Sequence, residues 1–114
     1  MTTIFSKIIK GELPADKVFE NDRIIAIKDI HPVAPIHLLI ISKKEIPDLQ
    51  SVESEDLPLV AEMISVAQDL ARQFGIADGY RLITNNGSNA GQIIFHLHFH
   101  LIGGRKLGPL VGQG

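Results

Sequence analysis

The sequence predicts an α+β fold: an antiparallel sheet with one long amphipathic helix and a short N-terminal helix. Three observations carry the prediction. Apolar residues from Leu59 to Phe74 recur at i, i+3 and i+4, which is helical spacing. Short β-branched runs with turn residues between them lie on both sides of that helix, so strands come first, one helix is inserted, and two strands return. The last two runs are joined by a loop too short for a helical crossover, which makes them antiparallel neighbours.

Each element has its own signal. Ile4, Phe5, Ile8 and Ile9 recur at helical spacing, and Gly11 and Pro14 follow as stops, so a short helix is expected over 5–10. Residues 18–20 and 23–28 read as strands of a hairpin turned by Asn21 and Asp22. Pro32 and Pro35 break the chain, and 37–41 is an apolar, β-branched run of strand length. Residues 47–50 read as one helical turn. Ser54 reads as the N-cap of the long helix, with Glu55 and Asp56 where carboxylates favour the positive helix end. That helix is expected over 55–74, closed by Gly75 and laid against the sheet. A strand over 80–84, a polar loop over 85–92 (NNGSNAGQ) and a strand over 93–102 complete the order.

Composition narrows the function. The 114 residues suit one domain, 1–114, without repeat or linker. Apolar residues make up 45% and charged residues 21%, the balance of a folded globule rather than a disordered chain. There is no cysteine, so there is neither a disulfide framework nor a thiolate metal site, which suits a reducing cytoplasm. The net charge is −2 and the only adjacent cations are Lys43-Lys44 and Arg105-Lys106, which argues against nucleic acid as a partner. No segment has the h-region of a signal peptide or the ~20 apolar residues of a membrane span. A cytoplasmic chain with no membrane partner is expected.

The chemistry concentrates in FHLHFHLIGG, where His96, His98 and His100 occupy alternate positions. Alternate residues of a strand share a face, so the three imidazoles are expected on one side. Phe95, Leu97, Phe99 and Leu101 then face the core. At ~3.4 Å per residue, neighbouring histidines start ~7 Å apart and the outer pair ~14 Å. Three uses compete. Two histidines could share a metal with a third ligand from His37 or an acid, although three on one straight strand reach too far for an easy tetrahedral cluster. They could be polar residues on a solvated face. Or a central imidazole could attack phosphorus while its neighbours balance charge on the phosphoryl oxygens. The preceding loop, Asn85 to Gln92, favours the third use, because its glycines let backbone N–H groups approach an anion. On spacing alone Asp29 is a turn former ahead of Pro32, His37 a packing residue, and Ile4, Phe5 and Ile8 core.

The run HLHFHLI resembles the His-φ-His-φ-His-φ-φ signature of the histidine triad (HIT) superfamily. TIFSKIIKGELPA, DIHPVAPIHLLIISKK, GYRLITNNG, the GQ before the triad and GGRKLGP after it are similar to the Hint branch, in the same order. The resemblance implies a HIT-like fold and a metal-independent purine nucleoside phosphoramidase or nucleotidyl hydrolase needing no cofactor. Dinucleoside polyphosphate hydrolysis, or nucleotide binding with weak catalysis, is the alternative.

By the same resemblance His98 is the nucleophile, attacking the α-phosphorus of an adenosine or guanosine 5′-phosphoramidate. The His96 carbonyl orients it, and His100 and His37 flank the phosphate. Asn85, Gly91, Gln92 and Ile93 belong to the phosphate and leaving-group side. Asp29 holds the ribose hydroxyls. Ile4, Phe5, Ile8, Ile27, Ile30 and Leu39 form the apolar base pocket. A homodimer is implied, and the broad apolar stripe of the long helix leaves surface for a partner. Two residues depart from the pattern: Ile93 stands where Ser, Thr or Glu is usual, and His31 where serine is common.

Overall fold

The centre of the sheet is apolar on both faces, and this arranges everything around it. The computed structural model describes residues 2–111. Strands β1 (Lys17–Glu20), β2 (Ile24–Lys28), β3 (Ile36–Ser42), β4 (Tyr80–Ile83) and β5 (His98–Gly103) form one antiparallel sheet in the order β1-β2-β3-β5-β4. Side chains alternate across it. Ile24, Ala26, Leu38 and Ile40 join Leu97, Phe99 and Leu101 beneath helix α2 (Leu57–Gln73), which adds Met63, Val66, Ala67 and Leu70. Ile25, Ile27, Leu39 and Ile41 face the other way and meet Phe5 and Ile8 of helix α1 (Ile4–Ile9). The α+β architecture, the long helix over the sheet and the antiparallel pairing of the last two strands are as the sequence predicts.

Several boundaries differ, each for a local reason. The long helix begins at Leu57, two residues later than expected, because Pro58 lacks an N–H and fits only the first turn. Residues Ser54–Asp56 form a 3-10 turn ahead of it, and the Ser54 side chain makes no cap. Residues 47–50 form a bend leading into a turn rather than a helical turn, with Asp48 Oδ1 accepting from Ser51 N–H. In the hairpin, Asn21 Oδ1 accepts from Arg23 and Ile24 N–H, so β2 starts at Ile24.

The last strand is shorter than expected. Pairing with β4 ends at Ile83, opposite His100, and residues 93–97 are irregular. Leu97 N–H donates instead to Ile46 O at 2.7 Å, and Ser42 N–H to Leu97 O at 3.3 Å. Phe95, expected in the core, is 44% exposed as a result. Among the described residues no helix is long and apolar enough to cross a membrane.

Gly103 ends β5 where the chain passes close to the loop after α2. A Cβ there would lie 2.9 Å from Ile76 Cδ1 and 3.2 Å from Gly79 O. Gly103→Ala is expected to cost about 1–3 kcal/mol of stability by overpacking, read as a lower urea unfolding midpoint with unchanged slope. An unchanged midpoint would show that the loop yields freely.

Candidate active site

Strand β5 sets two imidazoles on the α1 side of the sheet. His98 pairs opposite Ile41 and His100 opposite Leu39, two residues apart and therefore on one face. Their ring centroids are 5.2 Å apart. His96 precedes the strand and does not share this face as a third exposed ring. It is 1% exposed, with Nε2 2.6 Å from Ser42 O and Nδ1 3.1 Å from Thr3 Oγ1. The straight ladder of three equivalent histidines is thus corrected to two in the site and one beneath it.

Hydrogen-bond partners fix the tautomers. His98 Nδ1 is 2.6 Å from the His96 carbonyl, which can only accept, so Nδ1 carries the proton and Nε2 keeps its lone pair. His37 Nδ1 accepts from Val33 N–H at 3.2 Å, so its Nε2 carries the proton. That nitrogen lies 2.9 Å from His100 Nδ1 and 3.3 Å from Asp29 Oδ2. His100 accepts at Nδ1 and has its own N–H at Nε2. The site therefore offers one imidazole lone pair, on His98, beside one imidazole donor, on His100.

Burial keeps both rings neutral. It pushes His98 below the usual imidazole range, helped by the neighbouring His96 and opposed by the His96 carbonyl and Asp29. His100 falls further, to about 4, through burial and the proximity of His98 and His37. Burial also lowers His37, against the pull of the Asp29 carboxylate 3.3 Å from its Nε2.

Asp29, His37 and His100 place one ligand-type atom each within 4.8 Å of the others. The hydrogen bonds already use the Nδ1 lone pairs of both histidines. His37 Nε2 is a donor while its Nδ1 holds Val33 N–H, the reverse of a metal-bound imidazole, whose second nitrogen donates.

A cleft of about 520 Å³ opens over these rings. Its lining brings together most residues singled out in the sequence. Ile4, Phe5 and Ile8 come from α1, and Ile27, Asp29, Ile30 and Leu39 from β2, the turn after it and β3. Asn85, Gly91, Gln92 and Ile93 come from the loop, with His98 and His100 from β5. His37 and His96 do not line it; His37 lies behind His100 and His96 behind His98. Asp29 Oδ1 accepts from His31 N–H at 2.8 Å, which anchors the carboxylate at the rim.

The loop before β5 is braced from inside. Gln92 Oε1 accepts from Gly87 N–H, and its amide donates to Pro47 O and Ile94 O. Its backbone N–H goes to Gly87 O. Gln92 is spent on holding the loop. Gly91 closes the 3-10 turn Ser88–Ala90 at φ 95, where a side chain would be strained. Ile93 is 87% exposed, and its N–H has no protein acceptor among the described residues.

Sequence reasoning missed some participants. Thr84 Oγ1 donates to His98 O at 2.8 Å and ties β4 to β5 beside the site. Thr3 caps α1 in a capping box with Ser6. Its only sequence signal was a threonine three residues ahead of a polar residue at a helix start. Ser42 and Val33 act through backbone atoms, which no residue type reveals.

An apolar slot leads to two neutral imidazoles, one carrying a free lone pair, under a glycine-bearing loop. These features mark the cleft as the candidate active site. The HIT domain model matches residues 10–107. The chain is 54% identical over 108 residues to a HIT-like protein of Chlamydia pneumoniae, covering 95% of this chain and 98% of that one. It is 49% identical over 112 residues to the purine nucleoside phosphoramidase of Escherichia coli K12, covering 97% and 94%. The solved structure of a HIT family hydrolase from Clostridium thermocellum superposes with a TM-score of 0.92 at 46% identity, covering 96% of each chain. This chain belongs to the HIT domain family.

The lowered histidines set a pH dependence of stability. Unfolded, they take up protons near 6.5; folded, His100 does so only near 4. Between those values the unfolded state holds more protons, so stability rises with pH. The urea midpoint is expected to fall as pH drops from 6.5 towards 4, and His100→Asn to flatten that slope. Equal slopes in variant and wild type would show that His100 is not buried as a neutral ring.

Proposed function

We propose that the protein hydrolyses purine nucleoside 5′-phosphoramidates through a covalent nucleotidyl intermediate on His98. The observation that carries this reading is the tautomer of His98: the nitrogen left with a lone pair belongs to a ring that lines the cleft, next to the His100 donor. In this reading the purine enters the slot of Ile4, Phe5, Ile8, Ile27 and Leu39, over Ile30, and Asp29 accepts from the ribose hydroxyls. His100, Asn85 and the backbone N–H of Ile93 bind the phosphoryl oxygens. His98 Nε2 attacks phosphorus, the P–N bond breaks, and the amine takes up a proton from the open cleft. Water then cleaves the N–P bond of nucleotidyl-His98, releasing the nucleoside monophosphate and the neutral imidazole. The lone pair of His98 supplies the nucleophile without a metal, and the E. coli phosphoramidase relative supports the substrate class.

The test is hydrolysis of a fluorogenic adenosine 5′-phosphoramidate by chelator-treated protein, beside His98→Ala. Turnover is expected to survive chelation and to fall at least ~10³-fold in the variant, with folding and AMP binding kept. Loss on chelation would move the chemistry to a metal. One observation favours a second reading, a nucleotide-binding module with weak catalysis: Ile93 presents an apolar side chain at the cleft where a hydroxyl or carboxylate is usual. AMP binding without turnover would select it. Faster cleavage of diadenosine polyphosphates would select the polyphosphate hydrolases.

A homodimer belongs to the same proposal. β4 lies at the sheet edge with Tyr80 exposed, and Leu57 and Ile64 of α2 are exposed apolar residues. Sedimentation at micromolar concentration is expected to give twice the chain mass, and a monomer would remove the dimer from the reading.

A further inference from the structure

His96 is the triad member that the cleft does not use. It nevertheless sits between the two segments that build the site. Its Nε2 lies 2.6 Å from the carbonyl of Ser42, at the end of β3. That oxygen only accepts, so Nε2 carries the proton and Nδ1 is left as the acceptor. Nδ1 lies 3.1 Å from Thr3 Oγ1, and the same oxygen accepts from Ser6 N–H at 3.1 Å as the N-cap of α1.

The direction of the Thr3 hydroxyl follows from its neighbours. Ser6 Oγ, also 3.1 Å away, already accepts from Thr3 N–H and donates its own proton to Glu45 Oε1 at 3.2 Å. His96 Nδ1 has no other hydrogen-bond partner among the described residues. The Thr3 proton therefore goes to His96.

His96 lies outside the strand, so no β ladder holds its carbonyl. The backbone there is fixed by Leu97 N–H on Ile46 O, by Ser42 N–H on Leu97 O and, at His96 itself, by its two ring hydrogen bonds. That carbonyl selects which nitrogen of His98 is protonated. The ring of Phe5 stands edge-on to both histidines, with centroids 6.0 Å from His96 and 4.9 Å from His98. The start of α1 thus touches the nucleophile twice, once by packing and once through a hydrogen-bond chain.

We propose that Thr3 is a positioning residue for the His98 nucleophile: its hydroxyl locks the His96 ring, and the His96 carbonyl then fixes the nitrogen with which His98 attacks. This rests on the nucleophilic role of His98 given above. Through Thr3, the helix that lines the base slot also sets the reacting nitrogen.

Aspartate separates capping from donation. Thr3→Asp keeps an N-cap acceptor for Ser6 N–H, but its carboxylate has no proton for His96. Thr3→Ser keeps both functions. Two readouts are taken on each variant: kcat and KM for the fluorogenic adenosine phosphoramidate, and the ring nitrogen NMR signals of His98, which need no turnover. Thr3→Asp is expected to lower kcat about tenfold with KM held within about twofold. The His98 signals should move from a pure Nδ1–H tautomer towards a mixture. Thr3→Ser is expected to restore both readouts.

Wild-type kcat and His98 signals in Thr3→Asp would overturn the proposal, as would a Thr3→Ser variant that falls as far as Thr3→Asp. An inert wild type whose His98 signals still respond to Thr3→Asp would support Thr3 as the positioning residue and remove the hydrolase reading. Normal wild-type turnover with no response in either readout would remove the Thr3 role alone.

Discussion

The hydrogen bond from His98 Nδ1 to the carbonyl of His96, 2.6 Å long, decides what this site can do. A neutral imidazole has one proton and one lone pair, and a carbonyl on one side forces the lone pair to the other. Without that acceptor the ring would populate both tautomers, and much of the time the nitrogen facing the cleft would be protonated and inert. Burial completes the arrangement by lowering the affinity of His98 and His100 for a second proton. The same burial makes the folded state sensitive to acid, so the neutral rings are obtained at some cost to stability at low pH.

The scaffold holds this bond because the sheet is clamped from both faces. α2 covers one side and α1 only part of the other, and the uncovered part of that second face is the cleft. Ile27 and Leu39 therefore serve twice, packing with Phe5 and Ile8 and lining the slot. A second chain of hydrogen bonds, from Val33 through His37 to His100, fixes the donor ring independently of the first. The two chains leave a lone pair on one cleft-lining ring and an N–H on the other, with the ring centroids 5.2 Å apart.

Much of this was legible in the residues. The period-two run Leu97, Phe99, Leu101 gave the buried face of β5 and of the residue before it, and the 3.6 period from Leu59 to Phe74 gave α2. Ile4, Phe5 and Ile8 read as core from spacing; Phe5 and Ile8 are core and slot together, whereas Ile4 is exposed and lines the slot only. The errors have different causes. Pro58 moves the start of α2 past Ser54, the Asp48 side chain bends 47–50 locally, and Phe95 leaves the core because the chain beside it bonds to backbone distant in sequence. Leu97 donates to Ile46, and His96 to Ser42, across about fifty residues, which no window along the chain can register. Gln92 lines the cleft as its loop position suggests, and the structure adds that its amide holds Pro47 and Ile94.

The sequence by itself determined the fold class, the order of the elements and the stretch in which the chemistry would lie. Those follow from hydrophobic period and turn residues, which act over a few neighbours. Only the tertiary structure decided that the His96 ring is buried against Ser42 and outside the cleft, that His37 reaches His100, and that Thr3 touches His96 across ninety-three residues. Each depends on which lone pair a backbone carbonyl or N–H has already claimed, and that is fixed only when distant strands have paired.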